Sequence, residues 1–173
     1  MKVTESLVKK VRIEELQEER LDPIEVIIEN YDNGRGKIII TSGGESWVGQ
    51  WNAMGGSVES FIQRVDNDYL IGCMGRAPKF IEDKDQDPVF IKKMILKQRR
   101  TDSITKGQAR WAWDYTETFA PDRDHILHGV PFALQPLREL EEPWYLDWPT
   151  KINTDYTYQS KILDVVRKVI KPN

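Results

Sequence analysis

The sequence predicts an α+β fold, with a small antiparallel sheet from the N-terminal half packed against several helices from the C-terminal half. Segments rich in β-branched residues and separated by glycine-containing turns lie before residue 53. After that point, apolar residues recur with helical spacing. The chain has 173 residues, the size of one domain, and contains no internal repeat or long linker. Residues 1–173 are therefore expected to form a single domain.

The strands are predicted from their composition and from the turns between them. Residues 23–29 and 37–41 are β-branched and form a hairpin, because the turn-forming stretch NYDNGRG separates them. A second turn leads to residues 46–52, in which Trp47 and Trp51 alternate onto one face. Residues 8–13 are expected to add a fourth strand, whereas residues 14–20 have helical composition.

The helices are predicted from apolar periodicity and from their capping residues. Asp87 followed by Pro88 is typical of an N-cap and a first helical residue, and Thr105 with Gln108 forms a capping box. Five prolines between residues 120 and 150 predict an irregular connection with at most short helical turns. The helices are expected at residues 57–74, 87–100, 105–119 and 154–170, and we expect them to cover one face of the sheet.

Composition excludes several classes of protein. With 25 Lys and Arg against 28 Asp and Glu, the formal net charge is -3, so no overall field attracts nucleic acid or an anionic membrane. No stretch approaches the roughly 18 apolar residues of a membrane span, and the charged N-terminus differs from a signal peptide. The single cysteine, Cys73, predicts a buried, inert thiol. We expect a cytosolic protein with no membrane partner, and the sequence leaves its oligomeric state open.

Two parts of the chain resemble a family of small bacteriophage and prophage proteins. Residues 43–74 contain two tryptophans four positions apart, a Met-Gly step, a Phe-bearing helix and an Asp-Tyr-Leu turn. Residues 153–170 resemble the closing helix of those proteins, whereas residues 119–140 have no counterpart in them. The resemblance implies an accessory, host-interaction role in infection or lysogeny, and it carries over no catalytic residue.

The preferred function is non-catalytic binding to a host macromolecule, for example as an inhibitor of a host or defence protein. Aromatic residues in a proline-rich stretch are good candidates for exposed interface anchors. No enzyme activity and no cofactor are expected, and the partner is a host protein in the host cell cytosol. The residues expected to make the contact are Glu141, Glu142, Trp144, Tyr145 and Trp148.

Nucleic-acid binding through a basic, Trp-flanked helix is the first alternative. Between residues 92 and 110 the only carboxylate is Asp102. Cations interleaved with aromatic rings bind single-stranded nucleic acid through phosphate contacts and base stacking, although the solvated face of an amphipathic helix has the same composition. The residues of this hypothesis are Lys92, Lys93, Lys97, Arg99, Arg100, Lys106, Arg110, Trp111 and Trp113.

A metal-dependent enzyme is the second alternative. The segment PDRDHILH places Asp122, Asp124, His125 and His128 within seven residues, and carboxylates and imidazoles are ligands of divalent cations. No HExxH or paired CxxC motif accompanies them. The alternative interpretation of this segment is a solvated loop in which aspartates cap a short turn.

Overall fold

The structure is a computed structural model of the chain, and it describes residues 3, 5–31, 34–75, 77–128, 131–140 and 147–172. The α+β class is confirmed. The chain divides into two compact units: the first contains Met1–Lys79 and Ile152–Asn173, and the second contains Phe80–Lys151. That all 173 residues form a single domain stays a prediction.

The described elements follow one another as strands and then mostly helices. The elements in chain order are β1 (Lys9–Ile13), β2 (Ile24–Tyr31), β3 (Arg35–Ser42), β4 (Glu45–Trp51), α1 (Val58–Arg64), α2 (Asn67–Met74), β5 (Phe80–Glu82), α3 (Asp87–Arg100), α4 (Lys106–Phe119), α5 (Arg123–His128), a 3-10 turn (Phe132–Leu134), α6 (Gln135–Leu140), β6 (Thr150–Ile152) and α7 (Thr154–Val169).

The first unit is built on the predicted antiparallel sheet, whose strand order is β1-β2-β3-β4. The register places Ile40 opposite Trp47, and alternate residues of β2, β3 and β4 are buried. Trp47 and Trp51 lie in the core that this face forms with α1, α2 and α7, and Trp51 packs against Phe61 with 5.1 Å between ring centroids. The prediction that these two tryptophans pack under helices is confirmed.

Polar side chains join the helices of the first unit to one another and to the sheet. The Arg167 guanidinium of α7 donates to the carbonyl of Ile62 at 2.8 Å and also to the Val65 carbonyl and the Asn67 side-chain oxygen, at the junction of α1 and α2. At the start of α1, the Asn30 amide donates to Glu59 at 2.9 Å, while its oxygen accepts the Val58 N–H at 2.7 Å. Two of these contacts, to the Ile62 carbonyl and from the Val58 N–H, satisfy backbone groups in the last and first turns of α1 that have no intrahelical partner.

The second unit has its own core, which corrects the expectation that all the helices cover the sheet. The buried apolar residues of α3 and α4 form a cluster with residues of α5, the 3-10 turn and α6, and with Trp148. Asp87 also differs from its prediction: Gln86 is the N-cap position, and the buried Asp87 carboxylate accepts the Arg123 N–H at 2.8 Å. Burial raises the pKa of Asp87.

Three local structures depart from the sequence predictions. Residues 14–20 contain a turn at positions 17–20 instead of a helix, with Glu15 and Arg20 in the left-handed region at φ 64° and 57°. Strands β5 and β6 form a second, two-stranded sheet, and each has only three residues, all exposed, so neither contains an alternating pattern that could be recognised. Helix α5 lies within the stretch of residues 120–150 that was predicted to be an irregular connection. It begins at Arg123, two residues after Pro121, so this proline does not interrupt it.

Among the helices that the structure describes, none combines the length and the apolar composition required to cross a membrane.

Candidate functional site

Helices α3 and α4 form an antiparallel helical hairpin joined by a connection of five residues. The Ser103 N–H donates to the Gln98 carbonyl at 3.0 Å, which closes the end of α3, and Ile104 is buried. The predicted capping box at the start of α4 is confirmed, because the Thr105 N–H donates to Gln108 Oε1 at 2.8 Å and the Gln108 N–H donates to Thr105 Oγ1 at 3.2 Å. Both ends of the connection are therefore held by hydrogen bonds.

An open groove of about 340 Å³ lies between these two helices. Ile95 and Leu96 of α3 and Ala109 and Trp113 of α4 provide its apolar lining. Ile95 is fully buried and belongs to the core of the second unit, whereas Leu96 is 44% exposed. The floor of the groove is therefore supported by packed side chains, and Leu96 is accessible to a ligand.

Three cations, Arg99, Lys106 and Arg110, complete the lining of the groove. Arg99 forms an ion pair with Asp102, and Arg110 forms one with Asp114 at 2.9 Å. Lys106 is exposed and contacts no carboxylate among the residues that the structure describes. The groove thus combines an apolar floor with a positively charged rim.

The ring of Trp113 is held in place by Lys92. The Lys92 ammonium lies 5.3 Å from the centroid of that ring and 2.5 Å from Glu117 Oε1. This cation–π contact occupies a face of the indole. Lys92 therefore positions the wall of the groove, and its charge is already balanced by Glu117.

The remaining residues of the basic hypothesis lie elsewhere. Lys93, Lys97 and Arg100 are exposed but are not part of the groove lining. Trp111 is also outside the groove: it is 48% exposed and contacts Phe132, with 5.3 Å between ring centroids. The structure thus separates the two tryptophans that the sequence grouped with the cations.

The structure describes only one residue of the predicted protein-binding segment. Glu141, Glu142, Trp144 and Tyr145 lie outside the described residues. Trp148 is described, and the expectation that it is an exposed anchor is wrong: it is 7% exposed, belongs to the core of the second unit and packs against Phe90 with 4.9 Å between ring centroids. The reason is that a neighbour far away in the sequence covers the ring.

The residues of the predicted metal site cap a helix and form ion pairs. Asp122 Oδ1 accepts the His125 N–H at 3.2 Å and lies 2.6 Å from His125 Nδ1, while Lys84 lies 2.7 Å from Asp124. Burial raises the pKa of Asp122, but the hydrogen bonds with His125 outweigh it and the net shift is downward. Across the described part of the chain, no group of three His, Cys, Asp or Glu side chains is placed to hold a metal ion. His128 is among these described residues and belongs to no such group.

Two further observations correct or extend the sequence analysis. The Cys73 thiol is exposed, because it lies on the outer face of α2, whereas Leu70 and Ile71 face the core. Sequence reasoning also missed Leu96 and Ala109 as groove residues. Leu96 follows the buried residues Met94 and Ile95 on α3. An apolar residue at the edge of a buried helical stripe can extend the apolar surface to solvent, and this position could have identified Leu96 as a groove residue.

Comparisons with known proteins point to one family. No curated protein and no solved structure matches the chain. The model of a phage family, Phage_phiTE_072, matches residues 1–172, which is nearly the whole chain. The sequence-based prediction of a phage protein family is confirmed, and the chain belongs to the phage protein family Phage_phiTE_072.

Proposed function

We propose that this phage protein acts in the host cell cytosol by binding a host protein without turnover, as an inhibitor of a host or defence protein would, and that the groove between α3 and α4 is the contact surface. The observation that supports this most directly is the accessible Leu96 above a packed apolar floor, bordered by three cations. Exposed apolar surface with a polar rim is the usual composition of a protein-binding site.

The lining of the groove supports binding more than catalysis. Its side chains are apolar or cationic, so among the described residues the lining includes no carboxylate, imidazole or thiol that could act as a general base or nucleophile. The Asp122 and His125 pair is engaged in capping α5 and in contacts with each other. Membership of the phage family is compatible with such a role.

Single-stranded nucleic acid is the second candidate ligand, because Arg99, Lys106 and Arg110 lie beside Trp113. A host protein is preferred because Trp111 lies outside the groove and packs against Phe132. Among the described residues, the lining therefore offers a nucleic-acid strand one ring, that of Trp113, for base stacking.

The test is affinity capture from bacterial lysate, with half of each sample treated with nuclease. The bait is the full chain, either unchanged, as Leu96→Glu or as Val89→Glu. Val89 is a matched control because it lies on the same helix and is 45% exposed, yet is not part of the groove. We expect a host protein that survives nuclease treatment and is retained by Val89→Glu but lost with Leu96→Glu.

Each other outcome argues against the proposal in a defined way. Capture that Leu96→Glu leaves unchanged would remove the groove from the contact surface. Recovery of nucleic acid that declines steeply with salt, together with loss of every protein after nuclease treatment, would establish the second candidate instead.

A further inference from the structure

We infer that the groove between α3 and α4 receives an amphipathic helix of the partner protein, with apolar residues on the inserted face and acidic residues beside them. This inference names the chemical class of the partner and rests on the proposed function.

The length of the groove matches two turns of a helix. On α4 the lining extends from Lys106 to Trp113, which corresponds to about 10 Å of helix. A partner helix presents apolar side chains at positions i, i+3 or i+4, and i+7 over the same distance. Leu96, Ala109 and Trp113 supply the apolar surface that such side chains would contact.

The charge of the rim selects acidic neighbours. Lys106 has no carboxylate partner among the described residues, and its ammonium group is exposed. The pairs of Arg99 with Asp102 and of Arg110 with Asp114 are solvent-exposed, with most of Arg110 accessible. Exposed pairs of this kind contribute about 0–1 kcal/mol, so glutamates of a partner can replace the internal carboxylates at little cost.

The same contacts argue against a nucleic-acid strand in this groove. Base stacking requires accessible ring faces in succession along the strand. Trp113 is half-buried, and the Lys92 ammonium lies over its ring. Most of the accessible lining is apolar, which suits a leucine or phenylalanine side chain better than a phosphate.

The test uses designed peptides and the full chain. The first probe is a fluorescein-labelled, end-capped peptide of about 18 residues, long enough to form a helix, with leucines at i, i+4 and i+7 and glutamates beside them. The second probe has lysines in place of the glutamates, and the third is labelled oligothymidylate. Fluorescence anisotropy measures binding to the unchanged chain, Leu96→Glu, the double variant Lys106→Glu and Arg110→Glu, and the control Val89→Glu.

We expect the acidic peptide to bind the unchanged chain and Val89→Glu equally, and to bind Leu96→Glu about tenfold more weakly, since a charge would enter the apolar contact. The double variant should reverse the preference and bind the lysine peptide better. Circular dichroism confirms that each variant is folded. Because Leu96, Lys106 and Arg110 are exposed, these changes leave the buried core intact.

Equal binding of the two peptides, or binding that Leu96→Glu does not weaken, would overturn the inference. Tighter binding of oligothymidylate than of the acidic peptide, reduced in the double variant, would replace it with a nucleic-acid site. If a host protein is captured through Leu96 but the acidic peptide does not bind, the inference fails while the proposed function stands. If nothing is captured from lysate in a Leu96-dependent manner, the proposed function itself fails.

Discussion

Replacing Trp148 by alanine distinguishes a core residue from a surface anchor. The side chain is 7% exposed and packs against Phe90 in the core of the second unit. A tryptophan buries up to about 250 Å², and at about 25 cal/mol per Å² its burial is worth at most about 6 kcal/mol. Alanine retains part of that burial, so we expect Trp148→Ala to lower the free energy of unfolding by about 3–5 kcal/mol.

The assay is urea unfolding followed by far-UV circular dichroism, combined with amide hydrogen exchange. Amide exchange rates show which elements lose stability in the variant. We expect faster exchange in α3 and α4, whose buried residues share the core with Trp148. Trp111→Ala is the matched control. Because Trp111 is 48% exposed, its replacement should cost at most about half as much.

A loss below about 1 kcal/mol for Trp148→Ala would refute the packing argument. If the same variant remained fully folded but no longer captured its host protein, Trp148 would belong to the contact surface and not to the supporting core.

Three further predictions concern the first unit. Arg167→Ala should lower the free energy of unfolding by about 2–3 kcal/mol, because it leaves the backbone acceptors at the α1–α2 junction without a donor. Urea unfolding measures this loss, and the control Lys168→Ala, an exposed change on the same helix, should have little effect. Burial raises the pKa of Glu59, but hydrogen bonds from Asn30 and Lys9 outweigh the effect of burial, and the net shift of the pKa is downward. The charged form of Glu59 therefore stabilises the fold above the ordinary pKa of 4.5, and this stabilisation is lost as the pH falls below that value. The stability difference between the unchanged chain and Glu59→Gln should therefore shrink on acidification, and a constant difference would contradict this. Cys73 should react with a thiol reagent in the native state without denaturant, since its side chain is exposed; protection until urea unfolds the chain would disprove that exposure.

Local patterns in the sequence were sufficient for much of the fold. The four-stranded sheet follows from β-branched runs between glycine-containing turns, and the burial of Trp47 and Trp51 follows from their alternation on one strand. The capping box at Thr105 involves residues three positions apart. Such features depend on backbone geometry over a few residues, which the sequence determines directly. The phage family was also recognisable from motifs in residues 43–74 and 153–170.

The candidate site depended on contacts between residues distant in the chain. The sequence grouped Trp111 with Trp113 because they are two positions apart, but on a helix that spacing places them on different faces, and only Trp113 lines the groove. Trp148 became a core residue because Phe90 covers it. Arg110, counted among the cations of residues 92–110, is paired with Asp114 just beyond that stretch.

The sequence by itself therefore determined the α+β class, most element positions and the phage family of this protein. Only the tertiary structure decided which helices share a core, that Trp148 is buried and which cations meet at one groove. The physical reason is that strand alternation and helix capping are properties of neighbouring residues, whereas burial and charge pairing depend on which surfaces the folded chain brings together.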